Sequence, residues 1–416
     1  MFIRELTSEE FNKFKDSFKD KSIYQTSEYA YIMNHQNYTT MFLGLVDGNN
    51  IVAASMIMIE RINNFKYAYA PRGFLIDYTN YPLLETFTIE LKNYLSKKDV
   101  VAIKLSPMIV KNIYDSEGKI IESNNSFDNI FENLKSLDYY HFGYNDYFEG
   151  HKPRFEAILD INKNYLQLFR NIRKEFKTKI RSAEKKGVRI YKVNEEELDY
   201  LIKQVGRKYP RGESYFKDTY KYFSQNNMID YYYAKLDTRI YLENNKREYE
   251  LQERNNNLIN NDVIANAGNN STKLITRKIE SDNLFSRAQK GLIKATNLLR
   301  DYPEGIVVAN MLVVRVNDQV FLYMDGFDNK YKNLNAKHLI MWKLIEKYSK
   351  LGYTKFNLGG ITNINAENKK YNGLNEFKLS FNSNMYEYIG DLELICNNTL
   401  YFMYRKSVQL KRMLKK

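Results

Sequence analysis

The stretch FLYMDGFDNKYKNLNAKHLIMWKLIEKYSKLGYTKFNLGGI (Phe321–Ile361) decides the fold class of this chain. Its beginning, at Gln319–Met324, and its end, at Lys355–Leu358, are short apolar runs of the kind that form strands. Between them, the apolar residues of Ala336–Leu351 recur with helical spacing. A strand, a helix and a second strand in this order are typical of a layered α/β fold.

Similar alternation extends over the first third of the chain. A capped helix is predicted at Thr7–Phe18, because polar Ser8 is followed by glutamates in the first turn. The other elements predicted here are strands at Thr40–Val46, Ile51–Glu60 and Tyr67–Pro71, a helix at Pro82–Leu95 and a buried strand at Val100–Leu105. This order suits an acyltransferase-like α/β unit, which we place at residues 1–153.

A second unit of the same kind is predicted from residue 154 onward. It starts with the strand FEAILDI, the basic helix Tyr165–Lys186 and the strand Val188–Val193, and it continues with further helices and strands to residue 237. The pattern resumes after Pro303, so we assign residues 154–237 and 304–416 to one unit. The sequence thus predicts the α/β (α+β) class, with two mixed-sheet units.

The intervening segment, residues 238–303, is polar and differs from both units. Sparse apolar positions, such as Leu251 with Leu258 and Ala288 with Ala295, fit a thin seam between two antiparallel helices that are separated by a break at residues 268–270. We therefore predict an inserted helical hairpin. A disordered insertion is the alternative, because the Asn-rich first arm has poor helix propensity.

Composition limits the possible chemistry. Among 416 residues, 63 are Lys or Arg and 50 are Asp or Glu, and the net charge of +13 favours polyanionic partners. The lone cysteine Cys396 and four scattered histidines predict neither disulfides nor a metal site. The N-terminus resembles no secretion signal, and no apolar run is long enough to span a membrane, so we expect a cytosolic protein.

One lysine stands out in GLNEFKLSFNSNMYEYIG (Gly373–Gly390). Phe377, Leu379 and Phe381 alternate with Lys378 and Ser380, which predicts a strand that turns Lys378 away from the apolar face. Such a lysine faces either a functional cleft or simply solvent.

Several motifs, in order along the chain, resemble the FemABX family of peptidoglycan bridge-forming aminoacyltransferases. They are QTSEY (Gln25–Tyr29), YAPRGFLIDY (Tyr69–Tyr78), the basic stretch Arg170–Ile190, the stretch Phe321–Ile361 and GLNEFKLSFNSNMYEYIGDL (Gly373–Leu392). The inserted hairpin is similar to the arm of FemA-like and MurM-like members. The resemblance covers essentially the whole chain.

This resemblance implies two acyltransferase domains of the GNAT type plus the helical arm. It implies transfer of glycine, alanine or serine from aminoacyl-tRNA to an amine on the stem peptide of lipid II, without a cofactor. An activated ester reacts downhill with an amine, so the enzyme mainly aligns the reactants and stabilises an oxyanion. We expect a monomer that works in the cytoplasm, with peripheral contact to the membrane through its basic C-terminal tail.

The resemblance makes Lys378 and its neighbour Phe377 the predicted catalytic residues. A cation beside an aromatic wall would stabilise the tetrahedral intermediate, and losing one such donor costs about 3 to 4 kcal/mol. A lysine with a lowered pKa could instead accept the proton of the amine. Both roles, and simple substrate binding, stay open.

Four further residues are predicted to bind substrate. Arg211 in KYPRGESYF suits phosphate, and a helix would place Tyr215 on the same face. Tyr323 aligns with a substrate-facing tyrosine of the family. Arg72 is either a phosphate contact or a structural donor to backbone carbonyls, with the structural role favoured. The alternatives are a surface arginine for Arg211 and a core tyrosine for Tyr323.

The tRNA phosphates require cations that act without sequence specificity. The predicted contacts on the basic helix and its turn are Arg173, Lys174, Lys177, Lys179, Arg181, Lys185 and Lys186. Further cations on the hairpin are Lys246, Arg247, Lys273, Arg277 and Lys278. For any single one, a solvated surface position is the alternative.

Two rival functions remain at this stage. One is a plain acyl-CoA N-acyltransferase, although no Q/R-x-x-G-x-G/A turn lies between a strand and a helix. The other is a non-catalytic scaffold that binds tRNA or membrane. Met33 and Ser106 stand where some relatives have a substrate-binding lysine and an aspartate, which favours the lipid-linked acceptor over a soluble one.

Overall fold

The structure is a computed structural model, and it describes residues 1–205, 211–268, 271–367 and 370–414. Across these residues the chain forms two mixed β-sheets, one of seven strands and one of nine, with helices packed against them. The predicted fold class is confirmed. The turn residues Asn269 and Asn270 of the hairpin and part of the KYPRGESYF motif, 208–210, lie outside the described residues.

The first sheet has the strand order β1–β2–β3–β4–β5–β16–β8. Its strands are β1 (Phe2–Glu5), β2 (Thr39–Asp47), β3 (Asn50–Ile62), β4 (Phe65–Pro71), β5 (Val100–Ser106), β8 (Tyr139–His141) and β16 (Leu392–Ile395). All neighbours pair antiparallel except β4 and β5, which are parallel.

The second sheet has the order β10–β11–β12–β13–β14–β9–β15–β6–β7. Its strands are β6 (Val110–Tyr114), β7 (Ile120–Ser123), β9 (Phe155–Asp160), β10 (Val188–Val193), β11 (Ile229–Leu236), β12 (Ile306–Val316), β13 (Gln319–Phe327), β14 (Lys355–Ile361) and β15 (Asn384–Tyr388). Here β13 and β14 form the parallel pair.

The helices account for most of the remaining chain. They are α1 (Ser8–Ser17), α2 (Ser27–Asn34), α3 (Tyr81–Lys97), α4 (Phe127–Ser136), α5 (Tyr165–Asn171), α6 (Lys174–Lys185), α7 (Leu198–Val205), α8 (Glu213–Gln225), α9 (Thr238–Ala265), α10 (Thr272–Asp301), α11 (Ala336–Lys350), α12 (Asn372–Leu379) and α13 (Asn398–Leu414). Short 3-10 segments lie at Glu195–Glu197 and Asn329–Leu334. Within the described ranges, no helix is long and apolar enough to cross a bilayer.

The strands cross the boundary that was predicted at residue 153, in both directions. β6 and β7 precede that residue but extend the second sheet, whereas β16 follows it and lies between β5 and β8 of the first sheet. This corrects a division of the sheets at residue 153 and the assignment of all of 304–416 to the second unit. Linear order misleads here because a strand pairs with whichever sheet edge accepts its hydrogen bonds, not with its sequence neighbours.

The inserted segment forms two long helices, α9 and α10, packed against each other. Ala288 and Ala295 are buried in the seam, but Leu251 and Leu258 are exposed, so their predicted place in the seam is wrong. The first arm instead contributes polar Asn256, which is buried and donates its side-chain amide to Ser281 at 3.1 Å.

One core joins the two units. Phe11 and Met33 of the first unit are fully buried in the same cluster as Leu201, Phe216 and Val314 of the second. Burying shared apolar surface of this kind fixes the two sheets against each other.

Candidate active site

A cavity lies between the units, beside the parallel pair of the second sheet. β13 and β14 are in register from Gln319 to Phe321, opposite Lys355–Asn357, and their pairing ends there. The cavity is lined by residues of both units, among them Tyr24, Arg72, Glu156, Asn357, Gly359 and Tyr388.

Lys378 lies behind this cavity, on α12. Its side chain is buried, with 7% of the residue exposed, and its Nζ donates to the carbonyl oxygen of Gly360 at 2.8 Å. A helix at this position contradicts the predicted strand. Lys378 is therefore neither on a strand nor solvated.

The reason for the helix is visible in the aromatic spacing. Phe377, Leu379 and Phe381 follow one another at intervals of two residues, which fits a strand, but Phe377 and Phe381 are also at i and i+4, which fits one face of a helix. Their rings pack edge to face with centroids 5.6 Å apart. α12 ends at Leu379, Asn382 adopts a positive φ of 64°, and the chain then enters β15.

Two glycines form the wall between Lys378 and the cavity. Gly359 has a φ of 81°, and a Cβ on it would stand 3.3 Å from Nζ of Lys378. A Cβ on Gly360 would collide with Pro153, whose Cγ would be only 2.4 Å away. Only glycines allow the backbone to pass this closely between the lysine and the segment that links the units.

A buried polar chain holds this backbone in place. Glu156 accepts from Nδ2 of Asn357 at 2.8 Å, and Oδ1 of Asn357 accepts from the backbone N–H of Gly359 at 2.7 Å. Arg72 donates to the other oxygen of Glu156 at 2.6 Å. Glu156 and Asn357 therefore act as positioning residues: they hold the turn at Gly359, and this turn positions Lys378.

The contacts of Arg72 are those expected for the structural role, in which it donates to a backbone carbonyl. Besides Glu156, it donates to the carbonyl oxygen of Pro153 at 2.8 Å, and its guanidinium lies 4.5 Å from the ring centroid of Tyr388. The burial of Arg72 and its ion pair with Glu156 tie the first unit to the second. A direct contact of Arg72 with substrate stays a prediction.

Phe377 points into an aromatic cluster rather than toward solvent. Its ring centroid lies 5.3 Å from that of His338, and Nζ of Lys337 lies 4.3 Å from its ring centroid. Burial, reinforced by the charges of Lys179 and Lys337, lowers the pKa of His338 to about 4. The imidazole is therefore neutral at pH 7.

Tyr215 and Tyr323 are brought together. Their hydroxyl oxygens are 2.5 Å apart, and burial raises the pKa of both phenols. Both hydroxyls are therefore protonated at neutral pH and act as hydrogen-bond groups, not as bases.

Arg211 contacts this pair, but not in the predicted manner. α8 begins at Glu213, so Arg211 precedes the helix and does not share a helical face with Tyr215. Its guanidinium carbon nevertheless lies 4.5 Å from the ring centroid of Tyr215. Gly212 takes the N-cap position, so the helix begins two residues after Arg211.

Sequence patterns missed Lys152, in the segment that links the units. Its Nζ lies 3.2 Å from the ring centroid of Tyr24. Among the described residues, no carboxylate forms an ion pair with Lys152. Burial, followed by the charge of Arg72, lowers the pKa of Lys152 well below its ordinary value. Glu156 and Asn357 were missed as well, although a polar residue inside each otherwise apolar strand was a usable signal.

The basic residues predicted to bind tRNA do not form one helix. The chain breaks at Ile172 and Arg173 between α5 and α6, because Arg173 adopts an extended ψ of 138°. Several cations bind carbonyl oxygens instead of facing outward: Arg173 that of Ser116, Lys177 that of Arg170, and Lys186 that of Asn333. The exposed members are Lys174, Arg181 and Lys185, whereas Lys179 is half-buried and lies over the ring of Phe176.

The chain matches known proteins over nearly all its length. A family model described as the FemAB family matches residues 6–407. Aminoacyltransferase FemA of Staphylococcus epidermidis is 24% identical over 420 residues, which cover 98% of this chain and 99% of that protein. Aminoacyltransferase FemA of Staphylococcus aureus is 23% identical over 429 residues, which cover 98% of each chain.

The fold has a solved counterpart. The crystal structure of FemX superposes with a TM-score of 0.73 at 19% sequence identity, covering 97% of this chain and 99% of that one. Because the family model spans almost the whole sequence and the fold agrees, this chain is a member of the FemAB family of aminoacyltransferases.

Proposed function

We propose that this enzyme transfers glycine, alanine or serine from aminoacyl-tRNA to an amine on the stem peptide of lipid II, so building the interpeptide bridge of peptidoglycan. Membership of the FemAB family supports the class of reaction. The observation that carries the proposal is a buried lysine, Lys378, behind the glycine wall of the inter-unit cavity.

The reaction needs little beyond alignment and charge stabilisation. The amine nitrogen attacks the ester carbonyl, an amide bond forms, and the ribose oxygen leaves with a proton that the amine gives up. An ester is a more reactive acyl donor than the amide product, so no further energy source enters the step. Catalysis then depends on holding the two reactants together and on stabilising the oxyanion.

Lys378 suits the oxyanion because it is held rather than mobile. Its Nζ is anchored on the carbonyl of Gly360, and Gly359 keeps the wall between it and the cavity thin. A fixed donor in a water-poor wall costs no reorganisation when negative charge develops. In this role Phe377 shields the lysine from water, which strengthens its field in the cavity.

The acceptor is proposed to lie along the tyrosine pair. Arg211 offers a guanidinium that suits phosphate oxygens, and the protonated hydroxyls of Tyr215 and Tyr323 offer hydrogen bonds. The buried amino group of Lys152, which lies over the ring of Tyr24, adds a further hydrogen-bond donor near Arg72.

The tRNA is proposed to run over the outer face of α6, where the exposed cations Lys174, Arg181 and Lys185 can meet phosphates. The acceptor is a membrane lipid, so the enzyme is proposed to work in the cytoplasm, as a monomer, in peripheral contact with the membrane.

The decisive experiment combines the purified protein with lipid II and with tRNAs charged with glycine, alanine or serine. We expect the mass of lipid II to rise by one aminoacyl residue with at least one of these tRNAs, and not with uncharged tRNA. No gain with any of them would refute the proposal. Turnover of acetyl-CoA with the same acceptor, in the absence of tRNA, would identify a plain N-acyltransferase instead.

A further inference from the structure

The last helix, α13, has two faces of different character. Its inner face packs on the first sheet: the ring of Tyr404 lies 5.9 Å from that of Phe65 and 5.6 Å from that of Tyr67. Tyr401 donates its hydroxyl to Glu393 of β16 at 2.5 Å. These contacts fix which side of the helix faces outward.

The outer face is apolar where a surface helix is ordinarily polar. Phe402, Met403 and Leu410 are 59%, 51% and 60% exposed. At 100° per residue these three positions fall within about one quarter of the helix circumference, so they form a single stripe. None of them contributes to a buried core cluster of the described residues.

Basic side chains accompany this stripe. Lys406 lies within it, and its Nζ is 4.4 Å from the ring centroid of Phe402. Arg405 is exposed beside it, whereas Lys411 is exposed on the side nearer Tyr404 and donates to Oδ1 of Asn63. From Asn397 to the end of the chain the sequence contains six Lys or Arg residues and no Asp or Glu.

An apolar stripe whose charged neighbours on α13 are cations matches one kind of partner best. RNA would pair with the cations but would leave Phe402, Met403 and Leu410 exposed to water. A second copy of this chain would bring a like-charged face against this one. An anionic bilayer satisfies both parts, because its lipid phosphates attract the cations while the apolar side chains enter the boundary of the acyl region.

We propose that the outward face of α13 is a docking surface for a membrane rich in anionic lipids. This inference rests on the proposed function for its biological setting and gives the peripheral contact a surface and a lipid class. The cations draw the enzyme to the membrane at long range, and the stripe holds it there. Binding therefore weakens in high salt without disappearing.

The test uses the full chain without donor or acceptor, so that it is independent of the transfer reaction. Co-sedimentation is measured with vesicles of phosphatidylcholine alone and with vesicles that also contain phosphatidylglycerol. We expect strong binding only to the anionic vesicles. Replacing Phe402, Met403 and Leu410 together with Ser should lower the partition coefficient by about tenfold or more.

A matched control uses exposed apolar residues of the hairpin, with Leu258, Ile264 and Ile293 replaced by Ser, and should bind as the wild type does. A second variant, Arg405→Gln with Lys406→Gln, should weaken the preference for anionic vesicles while the circular dichroism spectrum stays unchanged. Activity toward a water-soluble acceptor should survive all three changes.

Three outcomes would overturn the inference. The first is equal binding by the Ser triple variant and the wild type, and the second is equal binding to neutral and anionic vesicles. The third is a loss of tRNA affinity in the Ser variant with vesicle binding intact, which would assign the face to RNA. A failed transfer assay with normal vesicle binding would refute the proposed reaction but not the docking surface.

Discussion

The two sheets make the same change from antiparallel to parallel pairing, but they complete it differently. In the first sheet β4 stays paired with β5 from Lys66 to Pro71. In the second, the pairing of β13 with β14 ends at Phe321, although β13 continues to Phe327 and β14 to Ile361.

The first sheet thus keeps its parallel strands paired to the end of β4, whereas the second sheet leaves the ends of β13 and β14 unpaired with each other. Beyond the last pair, the backbone of β14 forms no ladder hydrogen bonds with β13, so it can line a cavity. Asn357 is the last residue of β14 paired with β13, Gly359 lies beyond it, and Lys378 lies behind this turn. The same chain architecture therefore supports stability in one sheet and, we propose, chemistry in the other.

The largest expected effect tests whether chemistry belongs to the open sheet alone. Lys378→Ala should lower kcat by about 10²- to 10³-fold, because it removes one fixed donor to the oxyanion. The matched control is Lys66→Ala in the first sheet, whose Nζ also donates to a backbone carbonyl, that of Lys98, at 2.8 Å. Single-turnover rates with charged tRNA measure both variants. Equal losses of rate would show that the effect is not specific to the second sheet.

The glycine wall offers a second test with a closely matched control. Gly359 and Gly352 share a φ of 81°, but a Cβ on Gly352 would meet nothing within 4 Å. Both changes to Ala should cost about 1–2 kcal/mol of backbone strain. Only Gly359→Ala should also lower kcat, by about tenfold or more, since it displaces Lys378. Thermal unfolding and kcat are measured together; a similar kcat for the two variants would argue against a role of the wall.

The polar network comes next in size. Asn357→Ala removes the amide donor to Oε2 of Glu156 and the acceptor of the Gly359 N–H, and should cost about 1–3 kcal/mol of folding stability. We also expect kcat to fall by about tenfold at an unchanged KM, because the turn before Lys378 loosens. Thr88→Ala, which removes a buried hydroxyl bonded to Leu84 and Tyr139 in the first unit, should reduce stability without changing kcat. A change in kcat for Thr88→Ala would mean that general loosening, not position, controls the rate.

The smallest effect concerns the tyrosine pair. Tyr323→Phe removes the hydrogen bond to Tyr215 and should raise KM for the acceptor by about three- to tenfold with kcat nearly unchanged. Tyr139→Phe, which removes a buried hydroxyl of the first unit, should leave KM unchanged. Initial rates over a range of acceptor concentrations distinguish the two, and an unaltered KM for Tyr323→Phe would remove this pair from the acceptor site.

Much of the fold follows from local sequence signals. The capped helix predicted at Thr7–Phe18 is observed at Ser8–Ser17, where Thr7 and Glu10 form a reciprocal capping box, and the strand at Val188–Val193 has the predicted bounds. The motif singled out Lys378, whose catalytic role stays a prediction. It did not predict the helix, since the spacing of Phe377 and Phe381 fits the periods of both a strand and a helix.

The rest of the site depends on contacts between distant parts of the chain. Arg72 and Glu156 are 84 residues apart, and no local pattern relates them. For the same reason, the exchange of β6, β7 and β16 between the sheets could not be read from the order of strands.

That exchange has a consequence for how the protein is made. β16, at Leu392–Ile395, fills the place between β5 and β8, so the first sheet stays interrupted until residue 395 has left the ribosome. The first unit cannot be completed as the nascent chain emerges, in contrast to domains that fold one after another from the N-terminus. A chain that stops before Leu392 would lack the strand that joins β5 to β8 in the first sheet.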